Sequence, residues 1–265
     1  MDLGLDDAAA VVVGGSRGMG LETARALAGD GARVALVGRS RGALDTATED
    51  LDRRGSPDTI GLVADTRDRA QVEAAFEEVG QRWGGELNIL VNAVGTPVVG
   101  PVDNLTDDQW HAAVDDIALG MVRCVRAALP LLRQAGWARI VNFAAQSTQR
   151  QHPMLPAYTA AKTMVVSISK NLSLRLAADD ILVNVVSPGT VATDSLVGWA
   201  NSIGLEPGDL RGLMDAVTQT VGHAASLRRV GDPTEVGVVA AFLASQRNSY
   251  MTGANVNVDG GSDFV

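Results

Sequence analysis

Short runs of apolar residues alternate with amphipathic stretches along the whole chain. Runs of this kind, rich in Val, Ile, Leu and Ala, are typical of strands that are buried on both faces. The predicted strands are Ala8–Val13, Arg33–Val37, Thr59–Val63, Leu87–Val91, Arg139–Phe143, Ile181–Val186 and Asn255–Val258. Because helix-like stretches separate them, the pattern predicts right-handed βαβ crossovers. We therefore expect an α/β architecture, a doubly wound parallel sheet of about seven strands flanked by helices.

No internal repeat, low-complexity tract or linker interrupts this alternation, so we expect one domain over residues 1–265. The exception to the pattern is the segment from Thr190 to Val230, between a strand end and the last helix. An irregular segment of that length predicts a substrate-binding lid over residues 190–230, or a segment with short helices of its own. Its apolar residues Trp199, Leu213 and Met214 either line a pocket or pack the lid against the body of the protein.

The charge of the chain limits its partners. With 22 Lys and Arg against 31 Asp and Glu, the formal net charge of −9 repels nucleic acid and anionic membranes. The segment Met1–Asp7 carries acids instead of the basic flank of a signal peptide, and the apolar run after it is too short to span a bilayer. We expect a cytoplasmic protein that binds a small molecule and no metal, with its single cysteine, Cys124, buried as a small apolar residue.

A glycine-rich segment joins the first predicted strand to the first predicted helix. Glycines there permit a tight turn and close approach of the backbone to a pyrophosphate, and the helix N-terminus supplies N–H donors. Glycine repeats alone are weak evidence, and it is their place between strand and helix that predicts a dinucleotide site. The residues predicted to hold the phosphates are Gly14, Ser16, Arg17, Gly18, Met19 and Gly20.

The end of the second predicted strand indicates which dinucleotide binds. An acidic residue there would hydrogen-bond the ribose 2′-hydroxyl of NAD, whereas this chain has Gly38, Arg39 and Ser40. Arg39, helped by Arg17, offers forked, charge-assisted donors that suit a 2′-phosphate. We therefore predict NADP(H) as the cofactor; the alternative for either arginine is a solvated surface charge. Asp65, at the end of the third strand, is predicted to meet the adenine amino group.

Tyr158 and Lys162 are four residues apart, a spacing that places them one above the other on one face of a helix. An ammonium beside a phenol lowers the pKa of the phenol from about 10, so that the hydroxyl exchanges a proton with a substrate oxygen near neutral pH. The spacing therefore predicts proton transfer at this helix face.

These features and several further segments make the chain similar to the short-chain dehydrogenase/reductase family, of the type that includes acyl-carrier-protein and polyketide ketoreductases. The segments are Asn92-Ala93-Val94-Gly95, Tyr158 to Lys162, Pro188-Gly189 with Thr193, Tyr250–Gly253 and Val258–Gly261. The resemblance implies a Rossmann fold, a tyrosine that acts as general acid, a lysine that hydrogen-bonds the nicotinamide ribose, and a homotetramer. It also implies cofactor contacts at Thr66, Asn92, Ala93, Gly95, Tyr158, Lys162, Pro188, Gly189, Val191 and Thr193.

Two positions depart from the family pattern. Ala145 stands where the family has a catalytic serine, and Ile117 stands where it has an asparagine that supports a water beside the lysine. Loss of one donor to a developing oxyanion costs about 3 kcal/mol in other enzymes. Ser147, or Thr148 beside it, is the candidate to supply that donor; the alternative for Ser147 is an ordinary turn-capping serine. His152 is either a proton relay or, as we favour, a surface-loop histidine.

The sequence therefore predicts an NADPH-dependent oxidoreductase that interconverts a ketone and a secondary alcohol. Met154, Leu155 and Pro156, with the lid residues, indicate a bulky apolar small molecule as the carbonyl or alcohol substrate, and specialised, polyketide-like metabolism as the setting. The alternative is a divergent protein of the same fold with a non-redox activity (dehydratase, isomerase or cyclase) or a binding role. Loss of two family residues favours that alternative, and retention of Tyr158 and Lys162 argues against it.

Overall fold

Seven strands form one parallel sheet. The computed structural model describes residues 2–206, 208–222 and 224–262 of the chain. The strands are β1 (Ala9–Val13), β2 (Arg33–Gly38), β3 (Thr59–Val63), β4 (Ile89–Asn92), β5 (Ala138–Phe143), β6 (Ile181–Pro188) and β7 (Asn255–Val258). They lie in the order β3-β2-β1-β4-β5-β6-β7, and every pairing is parallel. The predicted α/β architecture is confirmed, and each predicted strand overlaps an observed one.

Helices connect the strands and cover both faces of the sheet. The helices of the described segments are α1 (Gly18–Gly29), α2 (Arg41–Arg53), α3 (Arg69–Arg82), α4 (Asp107–Ala113), α5 (Gly120–Leu132), α6 (Pro156–Leu176), α7 (Asp194–Ser202), α8 (Leu210–Val221) and α9 (Pro233–Ala244). Among them, no helix combines the length and the apolar character needed to cross a bilayer.

The sheet is buried on both sides, which explains why its strands are continuous apolar runs. Leu27 of α1 and Leu51 of α2 pack on one face together with α9. Phe76 of α3 packs on the other face together with α5 and α6. Within β1, Val11 belongs to the core on the α3 side and Val12 to the core on the α1 side, because successive side chains of a strand point to opposite faces.

The strand order reverses at β1, and this reversal opens a crevice at the carboxyl ends of the strands. β1 pairs with β2 on one side and with β4 on the other. The connections that leave β1 and β4 therefore diverge, which is where ligands bind in open α/β sheets. Gly14 follows β1 and donates its N–H to the Val37 carbonyl at 2.8 Å, while Ala93 follows β4 and donates to the Val13 carbonyl at 2.8 Å.

The segment from Thr190 to Val230 contains the two short helices α7 and α8. Leu213 and Met214 are buried in a small apolar cluster that these helices share, so both serve to pack the segment. Leu213 also borders a cavity of about 200 Å³ between the two helices. Trp199 is only partly buried, at the edge of the same cluster. Packing therefore describes Met214, whereas Leu213 both packs in the cluster and lines this cavity.

One turn of π-helix, Val114–Leu119, joins α4 to α5. Its wider backbone path leaves the Asp115 carbonyl within reach of both the Gly120 N–H and the Arg123 guanidinium, the latter at 3.5 Å. Arg123 also donates to the Asp115 carboxylate at 2.6 Å, which holds the wide turn in place. The turn packs against α6 and so faces the helix that carries Tyr158 and Lys162.

Candidate active site

The glycine turn between β1 and α1 has the geometry of a phosphate cradle. Gly14 and Gly18 have φ values of +78° and +56°, which side chains other than glycine rarely adopt. A Cβ at Gly20 would lie 2.3 Å from the Gly14 carbonyl oxygen, so the helix packs on the turn only because Gly20 has no side chain. The N-cap residue Arg17 makes no side-chain cap, and the first turn of α1 has no acid. The helix N–H donors are therefore available to an anion.

Two arginines stand at the edge of this cradle, and one of them, Arg39, also interacts electrostatically with the Asp65 carboxylate. Arg17 and Arg39 are exposed, and the part of the chain that the structure describes gives neither of them a hydrogen bond or an ion pair. A Cβ at Gly38 would lie 3.4 Å from the Ser16 hydroxyl, so a larger residue there would crowd the turn. Ser40 instead caps α2 by accepting from the Ala43 N–H at 3.4 Å. Exposed guanidinium groups beside an open turn are what a phosphate monoester requires.

Asp65 lies at the end of β3, as predicted, but its carboxylate already has a partner. Arg67 donates to it through Nε at 3.0 Å and Nη2 at 2.6 Å. This side-chain hydrogen bond is the main reason why the pKa of Asp65 falls to about 2. An adenine amino group would have to share this acceptor with Arg67.

Thr66, the next residue, has its side chain buried instead of open to the crevice. The backbone carbonyl of Thr66 accepts a hydrogen bond from Arg123 at 3.2 Å.

The Lys162 ammonium is held by two backbone carbonyls at the carboxyl ends of β4 and β5. Nζ donates to the Phe143 oxygen at 2.8 Å and to the Val94 oxygen at 3.2 Å. A Cβ at Gly95, which has a φ of +150°, would lie 2.8 Å from Nζ. Burial lowers the pKa of Lys162 to about 8, and the Asp116 carboxylate acts in the opposite direction. The glycine is therefore required for the lysine to reach both carbonyls.

Tyr158 shares a face of α6 with Lys162, but the ammonium lies over its ring, with Nζ 5.7 Å from the ring centroid. Burial raises the pKa of Tyr158 to about 12. The expected lowering of the phenol pKa by the lysine is therefore not found in this geometry, because burial desolvates the phenol. At neutral pH, Tyr158 consequently holds its proton.

The end of β6 and the start of α7 complete the crevice. Gly189 follows Pro188, and a Cβ at Gly189 would lie 2.7 Å from the Asp259 Cα, so the two segments approach closely. Val191 is buried and forms an isolated parallel bridge with Gly231. The Thr193 methyl group would contact a Cβ at Gly18 at 3.9 Å, which puts this turn beside the glycine turn. Residues far apart in sequence thus converge on one crevice.

Comparisons with known proteins agree with this arrangement. Residues 13–263 match the sequence profile of a family described as enoyl-(acyl carrier protein) reductase. The chain belongs to the short-chain dehydrogenase/reductase family. It is 32% identical over 256 residues to the 3-oxoacyl-[acyl-carrier-protein] reductase of Chlamydia muridarum, covering 96% of each chain.

Solved structures of short-chain dehydrogenases/reductases share the whole fold. L-sorbose reductase from Gluconobacter frateurii, complexed with NADPH and L-sorbose, superposes with a TM-score of 0.92 over all of both chains at 28% identity. A single-site variant of the actinorhodin polyketide ketoreductase with NADPH gives a TM-score of 0.86 at 30% identity, covering 98% of each chain. The predicted Rossmann fold of this oxidoreductase family is confirmed.

The short-chain dehydrogenase/reductase motif after β4 has its polar side chain inside the core. Asn92 donates to the Asn142 Oδ1 at 2.8 Å, and Asn142 donates to the Ser169 hydroxyl at 2.8 Å. Among the described residues, no group hydrogen-bonds the buried Asn92 Oδ1, and Asn92 borders a cavity of about 10 Å³, the size of one water. Ile117 and Cys124 line the same cavity. Any contact of residue 92 with a cofactor would therefore fall to its backbone.

Cys124 agrees with its prediction as a small buried apolar residue. Its side chain is fully buried in the core between the sheet and α5. Burial raises the pKa of the thiol to about 12, so the reactive thiolate is suppressed.

At the family's serine position, Ala145 is buried and presents no hydroxyl. Ser147, two residues later, is also buried and accepts from the Thr159 hydroxyl at 3.0 Å. This bond fixes Ser147 to the N-terminal turn of α6, the helix that also carries Tyr158. Thr148 instead donates to the Ala145 carbonyl at 2.9 Å. The place of Thr159 inside the Tyr-x-x-x-Lys motif was the sequence signal for this contact.

His152 lies in the loop before α6, and its ring serves that loop. The Nδ1 atom accepts from the Met154 N–H at 3.1 Å, and the His152 carbonyl accepts from the Leu155 N–H at 3.0 Å. These bonds fit the surface-loop role that we favoured. The Gly100 N–H in turn donates to the Met154 carbonyl at 2.9 Å, which joins this loop to the one after β4.

Proposed function

We propose that this short-chain dehydrogenase/reductase is an NADPH-dependent oxidoreductase that interconverts a ketone and a secondary alcohol on a bulky apolar small molecule. The observation that carries the proposal is the pair Tyr158 and Lys162, with the ammonium held at the carboxyl ends of β4 and β5 beside the phosphate cradle. Its relatives with NADPH in the crystal, an L-sorbose reductase and a polyketide ketoreductase, support a nicotinamide cofactor.

Each protein group has a distinct part in this reaction. Bound NADPH would supply the hydride to the carbonyl carbon. Tyr158, protonated because its pKa is raised, donates its proton to the carbonyl oxygen as the alcohol forms. Lys162, kept in place by the Phe143 and Val94 carbonyls, supplies positive charge near the phenolate that remains. The role of Lys162 toward the nicotinamide ribose is carried over from the family.

The proposed substrate class rests on apolar side chains that are open to solvent. Val99 and Val102, in the loop after β4, are 65% and 67% exposed, and Met154 is 39% exposed. The hydrogen bond from Gly100 to Met154 places the two loops side by side. A cluster of this kind favours an apolar carbon skeleton, and we infer a setting in specialised, polyketide-like metabolism.

The test is to follow NADPH oxidation optically against a panel of ketones, quinones and β-ketothioesters, with NADH in parallel. Turnover that prefers NADPH supports the proposal. Tight binding of NADPH without reduction of any compound would favour the non-redox alternative, which the apolar residues Ala145 and Ile117 support. If neither cofactor binds, the proposal is wrong.

Replacing both arginines at the cradle edge, Arg17→Ser with Arg39→Ser, is expected to weaken NADPH binding by about 10- to 100-fold for each bond lost and to leave NADH binding unchanged. The reason is that the 2′-phosphate loses charge-assisted donors that NADH does not use. The readout is the Kd of each cofactor by quenching of tryptophan fluorescence. Arg41→Ser is the control, since Arg41 is held by the Gly61 carbonyl at 2.8 Å. Equal losses for NADH and NADPH would contradict the assignment.

Ser147 is our proposal for the hydroxyl that replaces the family's serine, because accepting from Thr159 leaves its own hydrogen free to donate to the substrate oxygen. Ser147→Ala is then expected to lower kcat by about 10²-fold. Thr148→Ala, which removes a hydroxyl already bound to the Ala145 carbonyl, should leave kcat unchanged. The comparison is made in steady-state kinetics at saturating NADPH. Equal kcat values for wild type and Ser147→Ala would show that no donor acts from residue 147.

A further inference from the structure

The polar role of the family's asparagine beside the lysine has no side chain to fill it at the same position of this chain. The family's asparagine position holds Ile117, which is buried and lies near Gly95, within 3.4 Å of where a Cβ at that glycine would be. An isoleucine side chain offers no hydrogen bond. The segment Val94–Thr96 nevertheless passes directly over the ammonium, because Lys162 bonds to the first carbonyl of that segment.

The residue before Ile117 reaches the other end of the same segment. The Asp116 carboxylate accepts from the Thr96 N–H over 3.5 Å, a long hydrogen bond. Lys162 therefore holds the segment at Val94 and Asp116 holds it at Thr96, with Gly95 between them against the ammonium. The π-helical turn presents Asp116 to this segment, while its neighbour Ile117 enters the core.

We propose that Asp116 is the positioning residue that replaces the family's asparagine, by anchoring the Val94–Thr96 segment over Lys162 and supplying the negative charge that matches the ammonium. This inference rests on the proposed function. It moves the polar role by one residue along the π-helical turn, from position 117 to position 116.

The other charged groups around Lys162 and Asp116 have partners of their own or face solvent. Arg67 is paired with Asp65 at 2.6 Å and also interacts electrostatically with Asp116. Asp115, on the same turn, is paired with Arg123 at 2.6 Å. On α4, which also packs against α6, the charged and titratable side chains are exposed to solvent: Asp107, Asp108 and His111. β5 contributes the Phe143 carbonyl, and Tyr158 contributes its neutral ring. Within the described residues, Asp116 is the charged side chain that raises the pKa of Lys162 against the effect of burial.

The direction of the pH effect follows from these contacts. Lys162 stabilises the Tyr158 phenolate only while the lysine carries its positive charge. Activity is therefore expected to fall as pH rises through the pKa of Lys162, about 8. Removal of a negative charge from position 116 lowers that pKa. The variant therefore loses its activity at a lower pH than wild type does, while activity on the acid side of the limb is retained.

The experiment compares the pH profile of kcat/KM for ketone reduction in wild type, Asp116→Asn and Asp115→Asn. Asparagine keeps an acceptor for Thr96, so Asp116→Asn isolates the charge. We expect its alkaline limb to move to lower pH by about one pH unit, the lower end of the effect of an opposite charge at close range. Asp115→Asn, an identical change one residue away, keeps an acceptor for Arg123 and with it the π-helical turn, so it should keep the wild-type limb. Asp116→Glu should restore it.

An unmoved limb in Asp116→Asn, or an equal movement in Asp115→Asn, overturns the inference while leaving the reductase assignment intact. Where no ketone in the panel is reduced, the Kd for NADPH is measured from pH 6 to 9 in the same variants. If NADPH binding weakens as pH rises, and this weakening begins at a lower pH in Asp116→Asn than in the other two proteins, the inference is supported without turnover. An identical pH dependence in all three proteins overturns it, and absence of NADPH binding overturns it together with the proposed function.

Discussion

Tyr158→Phe is expected to lower kcat/KM for ketone reduction by about 10²- to 10⁴-fold, the contribution typical of a general acid. The phenol holds its proton at neutral pH because burial raises its pKa to about 12, and phenylalanine has the same ring without a proton to give. Because the ring remains, Lys162 keeps its surroundings, so the Kd for NADPH should not change. The measurement is the initial rate of NADPH oxidation with a ketone that wild type reduces.

The chain supplies its own control for this substitution. Tyr250 is the other tyrosine of the sequence and is fully exposed, so Tyr250→Phe makes the same chemical change away from the crevice. It should retain the wild-type rate. A Tyr158→Phe enzyme that keeps its rate would exclude Tyr158 as the acid, and parallel losses in both variants would point to a general effect on the fold.

Gly20→Ala is expected to raise the Kd for NADPH by at least about 10²-fold and to destabilise the protein by about 1–3 kcal/mol. The new Cβ would lie 2.3 Å from the Gly14 carbonyl oxygen, a backbone atom that cannot rotate away. The turn must then move, and its movement misplaces several N–H donors that face the phosphates. Both effects are measurable, the first by fluorescence titration and the second by thermal or urea unfolding.

Gly29→Ala tests the same substitution at the other end of the same helix. A Cβ at Gly29 meets no atom within 4 Å, so alanine should be neutral or should stabilise the protein by up to about 1 kcal/mol. If Gly20→Ala binds NADPH as tightly as Gly29→Ala does, the glycine turn is not the phosphate site. A loss of stability in both variants would indicate that α1 tolerates no added methyl group at either end.

Several properties of the site could not be predicted from local sequence because they depend on which side chains meet across the fold. Arg67 donates a hydrogen bond to the carboxylate of Asp65, and Asn142 accepts one from the Asn92 side chain inside the core. Neither partner is marked by any motif. The phenol pKa of Tyr158 was predicted with the wrong sign, because helix spacing brings an ammonium near a ring but does not show that the fold buries the phenol.

The sequence by itself determined the strands, the parallel βαβ crossovers between them, the place of the glycine turn between β1 and α1, and the spacing that puts Tyr158 and Lys162 on one helix face. The physical reason is that burial on both faces, helix period and glycine backbone freedom act locally and leave a local pattern. One domain over residues 1–265, a homotetramer and a cytoplasmic location remain predictions. Only the tertiary structure decided the partners of Lys162: two carbonyls from different strands and Asp116 on a π-helical turn. Such contacts join residues that are distant in sequence, and their charges and hydrogen bonds exist only once the chain has folded.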